Sequence, residues 1–153
     1  MPAKKLKELL DSQGIQYRSI SHSTAYTAQE IAASAHVPGR EMAKTVIINA
    51  DGKWAMAVLP ANRKVVVQEL RDITGAEHVR LATEQEFRGL FPDCETGAMP
   101  PFGNLYGMDV YVAPSLAEDD EIVFNAGTHD EVIRMRYEDF ERLVRPKVMS
   151  FTT

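Results

Sequence analysis

The sequence predicts an α+β fold, a mixed sheet with helices interspersed, and three observations carry the prediction. Asp51-Gly52 separates two β-prone runs, Lys44 to Ala50 and Lys53 to Pro60, which is the strongest short-range hairpin signal a chain can carry. Helical spacing interrupts the strands: Leu6, Leu9 and Leu10 recur at i, i+3 and i+4, and Thr27/Glu30 and Thr83/Glu86 stand at capping-box distance. Three further strand-like segments, Asp109 to Ala113, Glu121 to Asn125 and Glu131 to Arg136, follow one another with only turns between them. Helices scattered among antiparallel hairpins belong to α+β architecture.

Taken in order, residues 3 to 13 form an amphipathic helix that Gly14 ends, and Ile15, Tyr17 and Ile20 begin a short strand. Ser21-His22-Ser23-Thr24 reads as a loop. Thr27 opens a short Ala-rich helix that runs to about His36 before Pro38-Gly39 stops it. After the hairpin, whose alternation puts Lys44 on one face with Val46 and Ile48, Val66, Leu70 and Ile73 mark a helix closed by Gly75. His78 to Leu81 is a short strand, and the helix opened by Thr83 carries Phe87 and Leu90 and ends before Pro92. Turns at Pro114-Ser115, Glu118 to Asp120 and Ala126 to Asp130 punctuate the last strands. Tyr137 to Val144 closes the chain as a helix stopped by Pro146.

The chain of 153 residues, 44% hydrophobic and 25% charged, has the composition of one globular domain spanning 1–153. A chain this long buries roughly 68–70% of its unfolded surface and needs no staples. No apolar run approaches the roughly 18 residues of a membrane span, and Met1-Pro2-Ala3-Lys4-Lys5 is not followed by a signal-peptide core, so a cytoplasmic protein is expected. The single cysteine, Cys94, excludes an internal disulfide and a Cys-based zinc site. A net charge of −5 argues against holding DNA or other long nucleic acid by bulk electrostatics. It leaves room for local phosphate contacts, and Lys44, Arg40, Arg63 and Lys64 make such a patch if the fold gathers them.

Gly97-Ala98-Met99-Pro100-Pro101-Phe102-Gly103 concentrates two glycines and two prolines in seven residues. Glycine permits φ > 0 and close approach of a ligand to backbone, while proline fixes φ and donates nothing, so the stretch describes a rigid loop offering chosen N–H groups. By itself such a cluster is more often an ordinary turn than a site. Of the four histidines, at 22, 36, 78 and 129, none has metal-ligand spacing with another, and no metal or cofactor is expected. His129 lies in a Gly-Thr-His turn between strands, where loop residues are presented at a sheet edge. No local motif makes Cys94 a nucleophile, and Glu118 to Glu121 lack the spacing of a calcium loop.

These residues together resemble the YbaK and prolyl-tRNA synthetase-associated editing-domain family. Gly97 to Pro101 meets its Gly-x-x-x-Pro loop, Lys44 in Ala43-Lys44-Thr45-Val46-Ile47 its strand lysine, and His22 through Tyr26-Thr27 its His-x-x-x-Tyr/Phe-Thr segment. Asn125-Ala126-Gly127-Thr128-His129 resembles the turn of the synthetase-inserted members, and the matches fall in the family's order across nearly the whole chain. Ala98 and Met99 depart from the glycine-rich versions of the loop.

The resemblance implies a mixed, largely antiparallel sheet or partly closed barrel surrounded by helices. It also implies hydrolysis, in trans, of the ester of mischarged aminoacyl-tRNA, most often tRNA(Pro) carrying a small wrong amino acid, with help from the terminal ribose hydroxyl. An activated ester needs a placed water and oxyanion stabilisation more than a strong nucleophile. Gly97 and Ala98 are the implied oxyanion donors, with Pro100 and Pro101 shaping the loop and Met99 either narrowing the pocket or packing beneath it. Lys44 either contacts the terminal adenosine's phosphate, the favoured role, or orients ester and water. His22, Tyr26 and Thr27 line the substrate site, and Asn125, Gly127, Thr128 and His129 stand near the amino acid's side chain or α-amine. Expected partners are the tRNA acceptor end and a synthetase such as prolyl-tRNA synthetase or another translation factor. Two rival functions remain open: a non-catalytic module that binds an aminoacyl-tRNA end or a synthetase, and a hydrolase of small acyl esters that uses no tRNA.

Overall fold

The computed structural model describes residues 4–153; Met1, Pro2 and Ala3, where the predicted first helix and the amino-terminal reading begin, lie outside the described residues. Helix α1 (Lys4–Ser12) buries Leu6 and Leu10 as its spacing requires, a contribution of about 1.5–3 kcal/mol for each side chain. The first strand, β1 (Tyr17–Ser21), is followed by helix α2 (Ala28–Ser34), whose cap Thr27 accepts the Glu30 N–H. That helix ends sooner than its alanines suggest, because His36 takes a positive φ of 57°. Strands β2 (Met42–Ala50) and β3 (Lys53–Pro60) form the predicted hairpin, with Asp51 and Gly52 at φ 51° and 90°, the left-handed pair its turn demands.

Helix α3 (Val67–Thr74) ends on left-handed Gly75, β4 (Val79–Leu81) follows, and α4 (Glu84–Leu90) begins with the complete Thr83/Glu86 capping box. Strand β5 (Asp109–Val112) then leads into α5 (Pro114–Ala117), a short helix where the sequence reads only as a turn; proline at its first position is helix-compatible because that N–H needs no partner. Strands β6 (Glu121–Asn125) and β7 (Glu131–Arg136) and helix α6 (Tyr137–Val144) fall where predicted. A two-residue strand, β8 (Lys147–Val148), has no periodicity to announce it and exists only by pairing with β5.

Among the described residues the strands form one mixed sheet in the order β1-β7-β6-β2-β3-β5-β8, with β4 added beside β2, and it does not close into a barrel. The antiparallel pairs β1/β7, β7/β6, β2/β3 and β2/β4 are joined by the parallel pairs β2/β6, β3/β5 and β5/β8. Strand β2 pairs with β3 along almost its whole length on one edge. Its other edge is shared: Met42 and Ala43 pair with β6, and Ile48 to Ala50 with β4. Between these, residues 44–47 have no strand partner on that edge among the described residues, so the sheet opens beside Lys44.

One face of the sheet carries the main core, where Phe102, Phe124 and Phe140 meet edge to face or tilted under α1 and α6. The opposite face carries two smaller clusters, one around Ile31, Met42, Val123 and Val132 beneath α2, the other around Ile48, Leu59, Leu70 and Phe151 beneath α3. Lys44, on the same side as Met42 and Val46 by strand alternation, stands at the seam between the two clusters. No described helix is long and apolar enough to cross a membrane.

Candidate functional site

Backbone geometry brings three of the sequence-predicted segments together. The Glu95 N–H donates to Gly127 O at 2.8 Å and the Gly127 N–H returns to Ala98 O at 2.9 Å, which lashes the Gly97 loop to the turn after β6. On the other side of that turn, the Ala25 N–H donates to His129 O at 3.2 Å and the His22 N–H to Asp130 O at 2.9 Å. The Tyr26 ring then lies over the His129 ring at a centroid distance of 4.9 Å. Loop 95–99, turn 125–130 and segment 22–27 are thus one scaffold held mostly by main chain.

His129 is the staple of this scaffold. Its Nε2 lies 2.7 Å from Thr96 O and therefore carries the ring proton, which leaves Nδ1 as an acceptor. Among the described residues Nδ1 has no donor although the residue is only 6% exposed, and Asn125 Oδ1 is likewise buried and unpaired in a residue 7% exposed. Each buried acceptor left without a donor costs about 1–3 kcal/mol. His22 donates from Nδ1 to Ser23 O at 2.7 Å and leaves its Nε2 in the same condition. Thr128 is tied locally, its hydroxyl donating to Asp130 Oδ1 at 2.7 Å.

The loop's glycines serve different ends. Gly97 has φ +88° and is exposed; a Cβ there meets only His129 Cε1, at 3.7 Å, so backbone conformation is what requires glycine. At Gly103 a Cβ falls 2.4 Å from Met108 O, so that glycine answers to close packing under the core rather than to a ligand. The Ala98 N–H, expected to face an oxyanion, is already bonded to Glu95 O at 3.0 Å, and Ala98 is fully buried. The expectation for Ala98 as a donor is therefore corrected. The Gly97 N–H has no acceptor among the described residues. Met99 packs into the main core with Phe102 rather than narrowing a pocket, and Pro100 and Pro101 are buried behind the loop.

Lys44 is half-buried at the seam, its Nζ donating to Ala61 O at 3.4 Å. Burial, and then the charge of Lys64, hold its ammonium below the usual lysine range. It opens onto a pocket of about 210 Å3 whose walls include Thr27, Ala61, Asn62, Arg63 and Lys64. Arg40, expected as a fourth member of this basic group, is set beside Asp119 instead. Thr27 reaches the pocket rim, but its hydroxyl is engaged in capping α2, accepting from Glu30 N at 3.1 Å and donating to Glu30 Oε1 at 2.8 Å. Tyr26, expected as a pocket wall, is 72% exposed and faces outward.

Two routes connect Lys44 to the Gly97 loop. Tyr26 and Thr27 are neighbours in sequence, one over His129 and the other beside Lys44. In the parallel pairing of β2 with β6, Lys44 and Asn125 are the residues next after the paired Ala43 and Phe124, so they stand where the two strands part, β2 running on to Ala50 while Asn125 ends β6 and leads into the Gly127 turn. Thr96 and Ala61 escape sequence reasoning because they act through carbonyl oxygens, which no side-chain motif advertises.

Cys94 is held apart from this chemistry. Its Sγ lies 3.6 Å from Tyr106 Oη, and burial pushes the thiol up to about 11, so it is not a thiolate at neutral pH. Among the described residues no group of three or more His, Cys, Asp or Glu side chains is placed to hold a metal ion.

Comparison with known proteins follows the same lines. The chain is 26% identical over 153 residues to the multifunctional Ser/Thr-tRNA deacylase ProXp-y of Escherichia coli K12, covering 97% of this chain and 91% of that one; its counterpart in E. coli O157:H7 matches equally. Among solved structures, hypothetical protein APE2540 superposes with a TM-score of 0.88 at 20% identity, over 98% of this chain and all of that one. A candidate trans-editing enzyme for prolyl tRNA synthetase superposes at 0.83 and 19% identity, over 99% and 96% of the two chains. Residues 22–143, from the His22 segment through α6, match the family described as the aminoacyl-tRNA editing domain, and the chain belongs to that family.

Proposed function

We propose that the protein is a trans-acting aminoacyl-tRNA deacylase, with residues 1–153 as one editing unit, that hydrolyses the ester between a small wrong amino acid and the tRNA terminal ribose. The observation that carries the reading is the N–H of exposed Gly97, without an acceptor among the described residues, on a loop stapled by His129 to Thr96. Water attacks the ester carbonyl and gives up a proton through the neighbouring free ribose hydroxyl, the carbonyl oxygen becomes an oxyanion, and the tetrahedral species collapses by breaking the bond to the ester oxygen of the ribose, which takes up that proton. A preorganised N–H aimed at the developing oxyanion accelerates this without any protein nucleophile. Gly97 is the donor; Ala98 supports it by receiving the Gly127 N–H. The free hydroxyl of the terminal ribose assists the water, which suits a site whose one cysteine is a protonated thiol.

Lys44 contacts the phosphate of the terminal adenosine; burial and the charge of Lys64 hold its ammonium below the usual range, and an anion beside it offsets both. Asn125 Oδ1 and His129 Nδ1 accept from the amino acid's α-ammonium or side chain, which relieves two buried unpaired acceptors. His22 and Thr128 border that end of the site. The tRNA is tRNA(Pro), by the likeness of the Gly127-Thr128-His129 turn to synthetase-inserted editing domains. The likeness to a Ser/Thr-tRNA deacylase favours hydroxyl-bearing acyl groups, for which unpaired acceptors are suited.

The test is hydrolysis of Ala-, Cys-, Ser-, Thr- and 2-aminobutyryl-tRNA by purified protein, with Lys44→Ala as control. Accelerated loss of one or more esters that Lys44→Ala abolishes is expected. Binding with unchanged ester lifetime across the panel would reduce the protein to a recognition module, and equal turnover of an aminoacyl-adenosine and the full tRNA would remove tRNA from the reaction.

A further inference from the structure

Acidic side chains gather at the end of the β6/β7 pair remote from the Gly127 turn. The register sets Glu121 opposite Arg136 at this end and Asn125 opposite Val132 at the other, about 13 Å away by strand rise. Here the turn after α5 and the body of α6 enclose a pocket of about 480 Å3 whose walls include Glu118, Asp119, Asp120, Tyr137, Glu138 and Glu141.

Part of this charge serves the fold. Glu138 meets Arg136 at 3.0 Å and its neighbour Asp139 meets Arg142 at 3.3 Å, and both acids stand in the first turn of α6, where the helix dipole favours them. Glu118, Asp119, Asp120 and Glu141 have no such role: among the described residues none of the four meets a basic side chain within 4.0 Å. Glu141 lies in the last turn of α6, where the dipole opposes a carboxylate. The Asp119 carboxyl is pushed above the usual carboxylate range, by burial first and then by Glu41, with Glu118 and Asp120 adding to it and Arg40 alone opposing.

Tyr137 brings to the same pocket a polar group that the fold leaves idle. The residue is 4% exposed and its hydroxyl makes no hydrogen bond among the described residues, although the charge of Glu141 joins burial in holding the phenol above the usual tyrosine range. A buried hydroxyl without a partner destabilises the protein until a ligand supplies one.

The walls also restrict what the ligand can be. Among the described residues no three of these carboxylates converge closely enough to hold a metal ion. An organic cation with several ammonium groups spaced along a chain reaches carboxylates that a single ion cannot, and its methylenes can lie against the Tyr137 ring. A protein partner needs an apolar anchor, and the exposed large apolar side chains, Tyr26, Leu81 and Val148, all stand elsewhere.

We propose that this pocket binds an aliphatic polyamine, its ammonium groups bridging the carboxylates of Glu118, Asp119 and Asp120 to that of Glu141, with one N–H donated to Tyr137 Oη. The site stands apart from the Gly97 loop and needs neither RNA nor catalysis.

The experiment is calorimetric titration of the purified, RNA-free protein with the triamine spermidine at fixed ionic strength. Magnesium chloride and an acetylated tri-lysine amide, which carries the same charge as spermidine on a peptide backbone, are the rival probes. One saturable site for spermidine is expected, with both rivals weaker. Tyr137→Phe weakens spermidine by about 2- to 12-fold, the range of one ordinary hydrogen bond, and its ligand-free form melts no lower than the parent because an unpaired buried hydroxyl is gone. Asp119→Asn/Glu141→Gln weakens it by about 2- to 30-fold, the range of two exposed ion pairs acting independently. Glu8→Gln, at an exposed acid on α1, leaves the affinity unchanged. Absence of saturable binding overturns the proposal, as does undiminished affinity in either pocket variant or an equal loss in Glu8→Gln. A ligand-free Tyr137→Phe that melts below the parent overturns the role given to the hydroxyl. Magnesium binding as tightly as spermidine would reduce the effect to charge screening, and tighter binding of the tri-lysine amide would make the pocket a docking surface for a basic protein segment; either overturns the polyamine site.

Discussion

Replacing Gly97 by alanine tests whether the loop acts through its backbone. The structure leaves room for the methyl group, since its nearest neighbour is His129 Cε1 at 3.7 Å, so the cost comes from φ +88° alone. An L-residue held in left-handed backbone pays about 1–2 kcal/mol. For a chain of this size that is a melting temperature lower by about 2–8 °C, and Gly97→Val loses more because branching at Cβ narrows its backbone choices further. If the chain escapes the strain by rotating φ, the Gly97 N–H turns away from the reacting carbonyl, and loss of one such donor lowers kcat by about 10²–10³-fold. Gly103→Ala serves as the contrast: its Cβ meets Met108 O at 2.4 Å, so stability falls without a specific loss of chemistry. The assays are thermal unfolding by circular dichroism and single-turnover deacylation of the best ester in the panel. Strain that is kept shows as a lower melting temperature and strain that is escaped shows as lost deacylation, so Gly97→Ala that melts with the parent and also deacylates at the wild-type rate would refute the reasoning.

Three other outcomes are expected. Lys44→Met abolishes deacylation yet raises the melting temperature, because it removes a half-buried ammonium that repels Lys64; a less stable variant would contradict this account. Cys94→Ser keeps deacylation within about threefold, and the wild-type thiol reacts slowly with iodoacetamide at pH 7 because it ionises only near 11; a loss beyond about 10-fold would restore a nucleophilic role. Glu86 is held down to about 2 by Arg80 and by its cap to Thr83, against 4.5 for a free side chain, so it favours folding above pH 4.5 and that contribution disappears as pH falls from 4.5 toward 2. Glu86→Gln therefore lowers stability at neutral pH and flattens the acid limb of an unfolding-against-pH curve; parallel curves for the two proteins would rule this out.

Where local chemistry decides structure, the sequence was transparent. Asp51-Gly52 forces its hairpin, Thr83 and Glu86 cap one another, and turn residues bound the last strands so plainly that β6, β7 and α6 fall at their predicted residues. What pairing across the chain decides was opaque: β8 is a strand only because β5 lies beside it, and the seam at Lys44 exists because β6 and β4 divide one edge of β2. The site divides in the same manner. Its side chains carry a motif and were legible, but whether an N–H is free depends on partners far away in sequence. Ala98 gives its donor to Glu95 while Gly97 keeps its own, and Tyr26 faces solvent where a motif alone suggests a pocket wall.

The lashing of the Gly97 loop to the 126–130 turn and the 22–25 segment runs largely through peptide groups, which every amino acid except proline carries in full. Apart from the His129 staple, a frame of that kind is indifferent to the side chains mounted on it. His22, Asn125, Thr128 and the outward ring at Tyr26 can be exchanged for residues of other size or polarity while the loop keeps its position, whereas a proline at Gly127 or Ala25 would cut a strut. The residues of the rim are thus separable from the frame that holds the loop, and an engineer seeking to retarget the protein has a rim to vary and a chassis to leave alone.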